Sequence, residues 1–137
     1  MEDHWRSGLF LDIHGQTADA DAIFRGTSYG KTVKHLTDAN GKPALTGPKS
    51  VFGILAKKGY PVIPTNDSTA AEDKRFSGGY NVRTYGSSEG GTIDAIQLEL
   101  GTNLRQKKNL DQTAADIADA IVVFATEYLP ATPLKKP

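Results

Sequence analysis

The most informative pattern in the chain is a nearly continuous apolar run from Ile93 to Leu100 that carries an acid close to its end. Glycines flank the run on both sides, and this pattern predicts a strand covered on both faces of a sheet. An ionised carboxylate is costly to bury unless it is hydrogen-bonded, paired or close to a metal. Glu99 therefore has two interpretations: a functional acid at the carboxyl end of the strand, where α/β sheets place their ligand crevice, or an end-of-strand Glu that faces water.

A second apolar run, from Leu9 to Gly15, predicts another strand suited to the interior of a sheet. Asp12 and His14 are two residues apart in this strand and therefore share one of its faces. If the two strands are parallel, their carboxyl ends lie at the same edge of the sheet. His14 and Glu99 would then share that edge.

Two stretches have the apolar spacing of amphipathic helices. The first is predicted to begin at Pro48, with Thr46 as its cap, and to end at Gly59. The second is predicted to span residues 111–128 and to stop at Pro130. These helices would flank the sheet.

The remaining segments are polar or rich in glycine. Residues 16–47 predict mostly loop with a short strand near 32–36, and residues 60–64 predict a brief edge strand bounded by prolines. Residues 65–75 predict a surface loop, and residues 76–86 predict an extended arm near the site.

The whole pattern predicts a single α/β domain over residues 1–130, built on a mixed, largely parallel sheet with flanking helices. Residues 131–137, rich in Pro and Lys, predict a disordered tail. There is no internal repeat and no sign of a second domain.

Composition narrows the classes of function. Lys plus Arg and Asp plus Glu are equal at 16 each, so no overall charge favours nucleic acid or an anionic membrane as a partner. Cysteine is absent, so any metal site must use His and carboxylates. No apolar run approaches the roughly 20 residues needed to cross a bilayer, and the expected location is cytoplasmic.

Asp12 and His14 form a candidate metal-binding or acid–base pair, because His offers a neutral nitrogen ligand and a nearby carboxylate fixes its tautomer. The alternative is a hydrogen-bonded structural His at a strand end. Glu99 is a candidate base that takes a proton from a metal-bound water, since partial burial moves a carboxyl pKa toward the working pH.

Arg83, with Tyr80 and Asn81 beside it, is a candidate for binding a substrate carboxylate through two hydrogen bonds. The alternative is a solvated Arg on an extended arm. Glycine pairs at 78–79 and 90–91 do not form a phosphate loop, because neither lies between a strand and a helix with a following Lys-Ser or Lys-Thr.

Four motifs, in this order, resemble the C-terminal part of N-formylglutamate amidohydrolase-like proteins. They are LDIHG, GPKSVFG, FSGGYNVR and IDAIQLEL, and they begin at residues 11, 47, 76 and 93. That family is similar in fold to zinc carboxypeptidases and to the succinylglutamate desuccinylase and aspartoacylase group. The resemblance covers most of the chain and implies a zinc-carboxypeptidase-like hydrolase fold.

The resemblance also implies site roles. His14 matches the family's last zinc-binding His, and Glu99 matches the strand glutamate that activates the zinc-bound water and shuttles its proton. It further implies zinc as cofactor and hydrolysis of an amide next to a carboxylate, in an N-acyl amino acid or peptide, with Arg83 as a candidate carboxylate partner.

The resemblance implies a chain shortened at its N-terminus relative to the family, in the segment where family members carry the other zinc ligands. A catalytic zinc site takes three protein ligands, and His14 and Asp12 supply at most two. We therefore expect another chain or another His to complete the site, and self-association to cover the exposed sheet edge. Two alternatives stay open: a non-catalytic binding or structural domain that keeps the fold, or a fragment completed by a missing N-terminal segment.

Overall fold

The computed structural model describes residues 7–129, which form a four-stranded open sheet with flanking helices. The spatial order of the strands is β1-β4-β2-β3, with β1 parallel to β4, β2 parallel to β3, and β2 antiparallel to β4. The strands are β1 Gly8–Gly15, β2 Ile23–Gly26, β3 Val62–Ile63 and β4 Ile93–Leu100. The α-helices are α1 Lys34–Asn40, α2 Pro43–Thr46, α3 Val51–Lys57, α4 Tyr80–Tyr85 and α5 Lys107–Tyr128.

The predicted α/β class with a mostly parallel sheet is confirmed, as are strands β1 and β4. β4 is buried from Asp94 to Leu100, as its apolar run predicts. The brief strand near residues 60–64 is also confirmed, because β3 lies at one edge of the sheet.

The hydrophobic core lies between the sheet and helices α3 and α5. Alternate residues of β4 face this core, because side chains in a strand point to opposite faces in turn. The residues that join the three elements in one buried cluster are Ile96, Leu98 and Leu100 of β4, Phe52 and Leu55 of α3, and Ala120 and Phe124 of α5. The intervening β4 residues Gln97 and Glu99 therefore face the other side of the sheet.

The expectation of mostly loop in residues 16–47 is wrong, because β2 lies in the interior of the sheet and α1 occupies part of the region expected to be a strand. β2 has only four residues, all buried, and includes Arg25. Because Arg25 is one of only four residues in β2, the sequence shows no apolar run there that would predict a strand. Non-local pairing with β4 and the Arg25–Glu72 ion pair hold the strand in place.

Helix α3 begins later than predicted. Ser50, not Thr46, caps it, because the Ser50 hydroxyl accepts a hydrogen bond from the backbone N–H of Gly53 at 2.9 Å. A side chain at Gly53 would collide with the carbonyl oxygen of Gly47, so the close approach of the preceding turn requires glycine there. Pro48 lies in that turn.

Residues 76–86 are not an extended arm throughout, because α4 forms within them. Val82 is the buried residue of this helix, whereas Tyr80 and Tyr85 are exposed. The alternation of apolar and polar residues therefore does not match the pattern of buried and exposed side chains. Helix α5 begins four residues earlier than predicted, because its first turn is polar and exposed.

No helix within residues 7–129 has the length and apolar character to cross a membrane. The tail predicted at 131–137 lies outside the described residues, as does His4.

Candidate functional site

The carboxyl ends of β1 and β4 bring the predicted acid and His together. In the parallel register, His14 lies opposite Glu99 and Asp12 lies opposite Gln97. Within each strand the two residues are two positions apart, and side chains two apart point to the same face, so all four share one face of the sheet. The expectation that His14 and Glu99 share a sheet edge is therefore confirmed.

Glu99 is a buried acid, with 7% of its surface exposed. Its Oε1 accepts a hydrogen bond from Gln97 Nε2 at 2.7 Å. Burial raises the pKa of Glu99 above its ordinary range, and the negative charge of Asp12 raises it further. His14, the Gln97 hydrogen bond and Arg105 act in the opposite direction on this pKa. The water-facing interpretation of Glu99 is therefore wrong.

His14 and Asp12 are in direct contact, with Nε2 and Oδ1 3.1 Å apart. Asp12 is largely shielded, whereas 46% of the His14 side chain is exposed. The Asp12 contact uses only one ring nitrogen, and Nδ1 has no hydrogen-bond partner among residues 7–129. A metal-binding His usually has one ring nitrogen bonded to a carboxylate, as His14 has here.

Gln97 is a site residue that the sequence analysis did not single out. It donates to Glu99 and also accepts a hydrogen bond from the backbone N–H of Gly79, with its Oε1 2.7 Å away. It thereby ties the segment before α4 to the face of β4 that carries Glu99. The available signal was its position two residues before Glu99, which places both on one strand face.

The three predicted substrate-binding residues lie in α4. Asn81 Nδ2 donates to Asp12 Oδ2 at 3.3 Å, so the structure brings Asn81 to the Asp12–His14 pair. Tyr80 is exposed. Arg83 is exposed, and its Nη1 donates to the carbonyl oxygen of Gly78 at 2.7 Å. In the described part of the chain, Arg83 makes no hydrogen bond to the group around Glu99.

Arg105 is a second guanidinium at the site, and sequence analysis did not assign it a role. Its Nε donates to the Leu100 carbonyl at 3.1 Å, and its Nη2 donates to the Gln16 carbonyl at 3.2 Å. Nη1 has no protein partner within residues 7–129. The guanidinium lies next to Gly15, at the carboxyl end of β1, where a side chain would collide with it. Its charge lowers the pKa of Glu99, although Gly15 and Leu100 belong to the sheet face opposite Glu99.

Within residues 7–129, no group of three His, Cys, Asp or Glu side chains converges on a possible metal position. His14 and Asp12 supply two candidate ligands by their contact, and a catalytic zinc site takes three. The described residues therefore fit part of a zinc site, and a third ligand would have to come from outside them.

Comparisons of the chain with protein-family models, curated proteins and solved structures found no significant match.

Proposed function

We propose that this protein hydrolyses an amide next to a carboxylate, in an N-acyl amino acid or peptide, as a zinc-dependent amidohydrolase with a carboxypeptidase-like fold. The observation that carries the proposal is the register of β1 and β4, which sets a buried acid beside an exposed, carboxylate-bound imidazole. The motif resemblance of the sequence supports the reaction type.

Glu99 supplies the general base and then the general acid. Gln97 occupies its Oε1, so Oε2 is the oxygen that takes a proton from the attacking water and returns it to the leaving amine nitrogen. Burial suits this exchange, because it raises the Glu99 pKa toward neutral pH, where proton transfer in both directions is most efficient.

His14 would hold the metal through Nδ1, and Asp12 would fix the ring through Nε2 or bind the metal beside it. When bound, zinc would supply the positive charge that polarises the amide carbonyl and makes water more acidic. Asn81 supports this pair by donating to the second oxygen of Asp12.

A substrate carboxylate would be attracted to the positive charge of Arg105 at the carboxyl ends of β1 and β4. Arg105 offers its remaining Nη1, and its other two nitrogens are already fixed by backbone carbonyls, so little side-chain entropy is lost on binding. Arg83 and the exposed Tyr80 stay candidates for contacts further along the substrate.

We propose that association with another copy or segment completes the site. β1 is the outermost strand on its side of the sheet, and Ile13, near the site, is half exposed. An exposed, apolar edge strand is suited to pairing with a further strand. The same contact would bring a third ligand within reach of His14.

The experiment is hydrolysis of N-formyl and N-acetyl amino acids by the full chain with added zinc. Glu99→Gln should abolish turnover while the protein stays folded, and Glu89→Gln, which changes an exposed Glu away from the site, should not. Zinc that binds through His14 without any hydrolysis would instead favour the non-catalytic binding domain. Activity that survives Glu99→Gln would refute the proposed mechanism.

A further inference from the structure

A cavity of about 570 Å³ lies away from the candidate site. Its volume falls in the range of small-molecule sites. Its wall includes Arg25, whose register partner is Leu98 and whose side chain therefore points to the sheet face opposite Glu99. The rest of its lining comes from the turn that follows β2, from helices α1 and α2 with Lys42 between them, and from the loop that follows β3.

Arg25 is buried in this wall with almost none of its hydrogen bonds made. It is 7% exposed, and its Nε is buried without a hydrogen-bond partner within residues 7–129. Its Nη1 reaches Asn66 Oδ1 at 3.5 Å, the limit of a hydrogen bond. A guanidinium has five N–H donors, and a buried charged donor left unpaired is costly.

Glu72 neutralises the charge of Arg25 without taking up its hydrogen-bond donors. The two form an ion pair in which Glu72 Oε2 lies 3.6 Å from Arg25 Nε, longer than a hydrogen bond. Both Glu72 oxygens are already bonded elsewhere, to the backbone N–H groups of Thr27 and Tyr29 and to the Thr27 hydroxyl. The turn that presents those groups has positive φ at Ser28 and Tyr29 and is built around the carboxylate.

The lining adds a second positive charge and several hydroxyl groups. Lys42 lies at the cavity and is exposed, so Arg25 and Lys42 outweigh the single acid, Glu72, in the lining. Hydroxyl groups of four further residues, Thr37, Thr46, Ser68 and Thr69, also line the cavity. This set suits a ligand with a negatively charged group and further polar atoms.

We propose that this cavity binds a small organic oxyanion, a carboxylate or a phosphate ester, with Arg25 as the hydrogen-bonding anchor and Lys42 as the second charge. An oxyanion would accept from the terminal Nη groups of Arg25, because Nε is enclosed next to Glu72. The site is independent of the proposed hydrolase site, because the two lie on opposite faces of the sheet.

The experiment titrates the full chain with inorganic phosphate and, separately, with succinate, and follows the Arg25 Nε–H signal by NMR together with binding heat. Saturable binding of either anion that shifts this signal is expected, and the anion that binds identifies the ligand class. Lys42→Gln should weaken binding about tenfold, the loss of roughly one charge-assisted contact. Lys57→Gln, an exposed lysine on α3 away from the cavity, should leave binding unchanged.

Arg25→Lys should abolish binding, since a lysine lacks the planar fork. If that variant fails to fold, the Lys42→Gln titration and the Arg25 signal of the unaltered protein still decide the matter. Absence of saturable binding by both anions, or binding that leaves the Arg25 signal in place, would overturn the proposal.

Discussion

His14 and Glu99 are direct partners across the parallel β1–β4 pair, one residue before each strand ends. The two strands are about 80 residues apart in sequence, and the core side of β4 fixes their register. A shift of one residue would turn Glu99 toward the core and Leu98 toward solvent, which the hydrophobic core opposes. Both residues lie in paired strands of the sheet, so the fold fixes the position of the acid relative to the imidazole.

The pKa of Glu99 should appear in the stability of the protein. Its folded-state pKa is raised by burial, so the folded chain holds this proton more tightly than the unfolded chain does. The contribution to the free energy of unfolding is fully present below the ordinary Glu pKa and is lost as pH rises through the raised value. Urea unfolding at a series of pH values should show the free energy of unfolding falling as pH rises through the raised Glu99 pKa. The fall should be smaller in Glu99→Gln.

Asp73 provides the opposite sign in the same titration. Its pKa is lowered to about 2 by hydrogen bonds from Arg75, so its contribution is present above the ordinary Asp pKa and lost as pH falls toward 2. Asp73→Asn should therefore change the free energy of unfolding below the ordinary Asp pKa and leave its pH dependence above that pKa unaltered. A changed pH dependence at higher pH in Asp73→Asn would contradict this assignment.

Asp12 should select one tautomer of His14. Because its carboxylate faces Nε2, the neutral ring is expected to carry its proton there and to present Nδ1 unprotonated. Nitrogen-15 chemical shifts of the ring report this directly. Asp12→Ala should give a mixture of tautomers, while Asp38→Ala, an exposed acid on α1, should not. Identical spectra for the unaltered protein and Asp12→Ala would rule out the orienting role.

Gln97 should be more important for stability than a polar strand residue usually is. Gln97→Ala leaves the Gly79 N–H and buried Glu99 without their shared partner, and an unsatisfied buried group costs about 1–3 kcal/mol. Denaturant unfolding measures the loss, and hydrogen exchange at Gly79 should accelerate. Exchange at Gly79 that does not change would show that Gln97 does not hold this segment.

Gly26 should tolerate no side chain. A methyl group there would collide with the Phe76 carbonyl and the Gly78 nitrogen, both backbone atoms of the segment before α4. Gly26→Ala should cost about 1–3 kcal/mol, typical of overpacking, and should disturb the Gly79 contact. Gly8→Ala is the control, because its methyl group meets only the flexible end of the Ile93 side chain. Equal stability of the two variants would contradict the close approach.

Sequence reasoning located the two strands that build the site and the long C-terminal helix, because their apolar patterns are strong and local. It missed β2 because burial of Arg25 depends on Glu72, which lies 47 residues away in sequence. Arg105 was assigned no role because its position at the ends of β1 and β4 depends on backbone carbonyls at Gln16 and Leu100. Such contacts between distant residues leave no periodic signal in the sequence.

The helix α4 was missed for a different reason. One fully buried residue, Val82, holds it against the sheet, and six residues are too few to establish a helical period. Zinc binding and the substrate stay predictions.

The most direct test of the account is a double-mutant cycle on hydrolysis of an N-acyl amino acid, with zinc added, comparing His14→Ala, Glu99→Gln and the double variant. Residues that act as one unit lose activity non-additively. If His14 and Glu99 form one site, each single change lowers the rate by about 10² to 10⁴, and the double change is no worse than the more damaging single one. Losses that multiply, or a rate that neither change affects, would contradict a shared site.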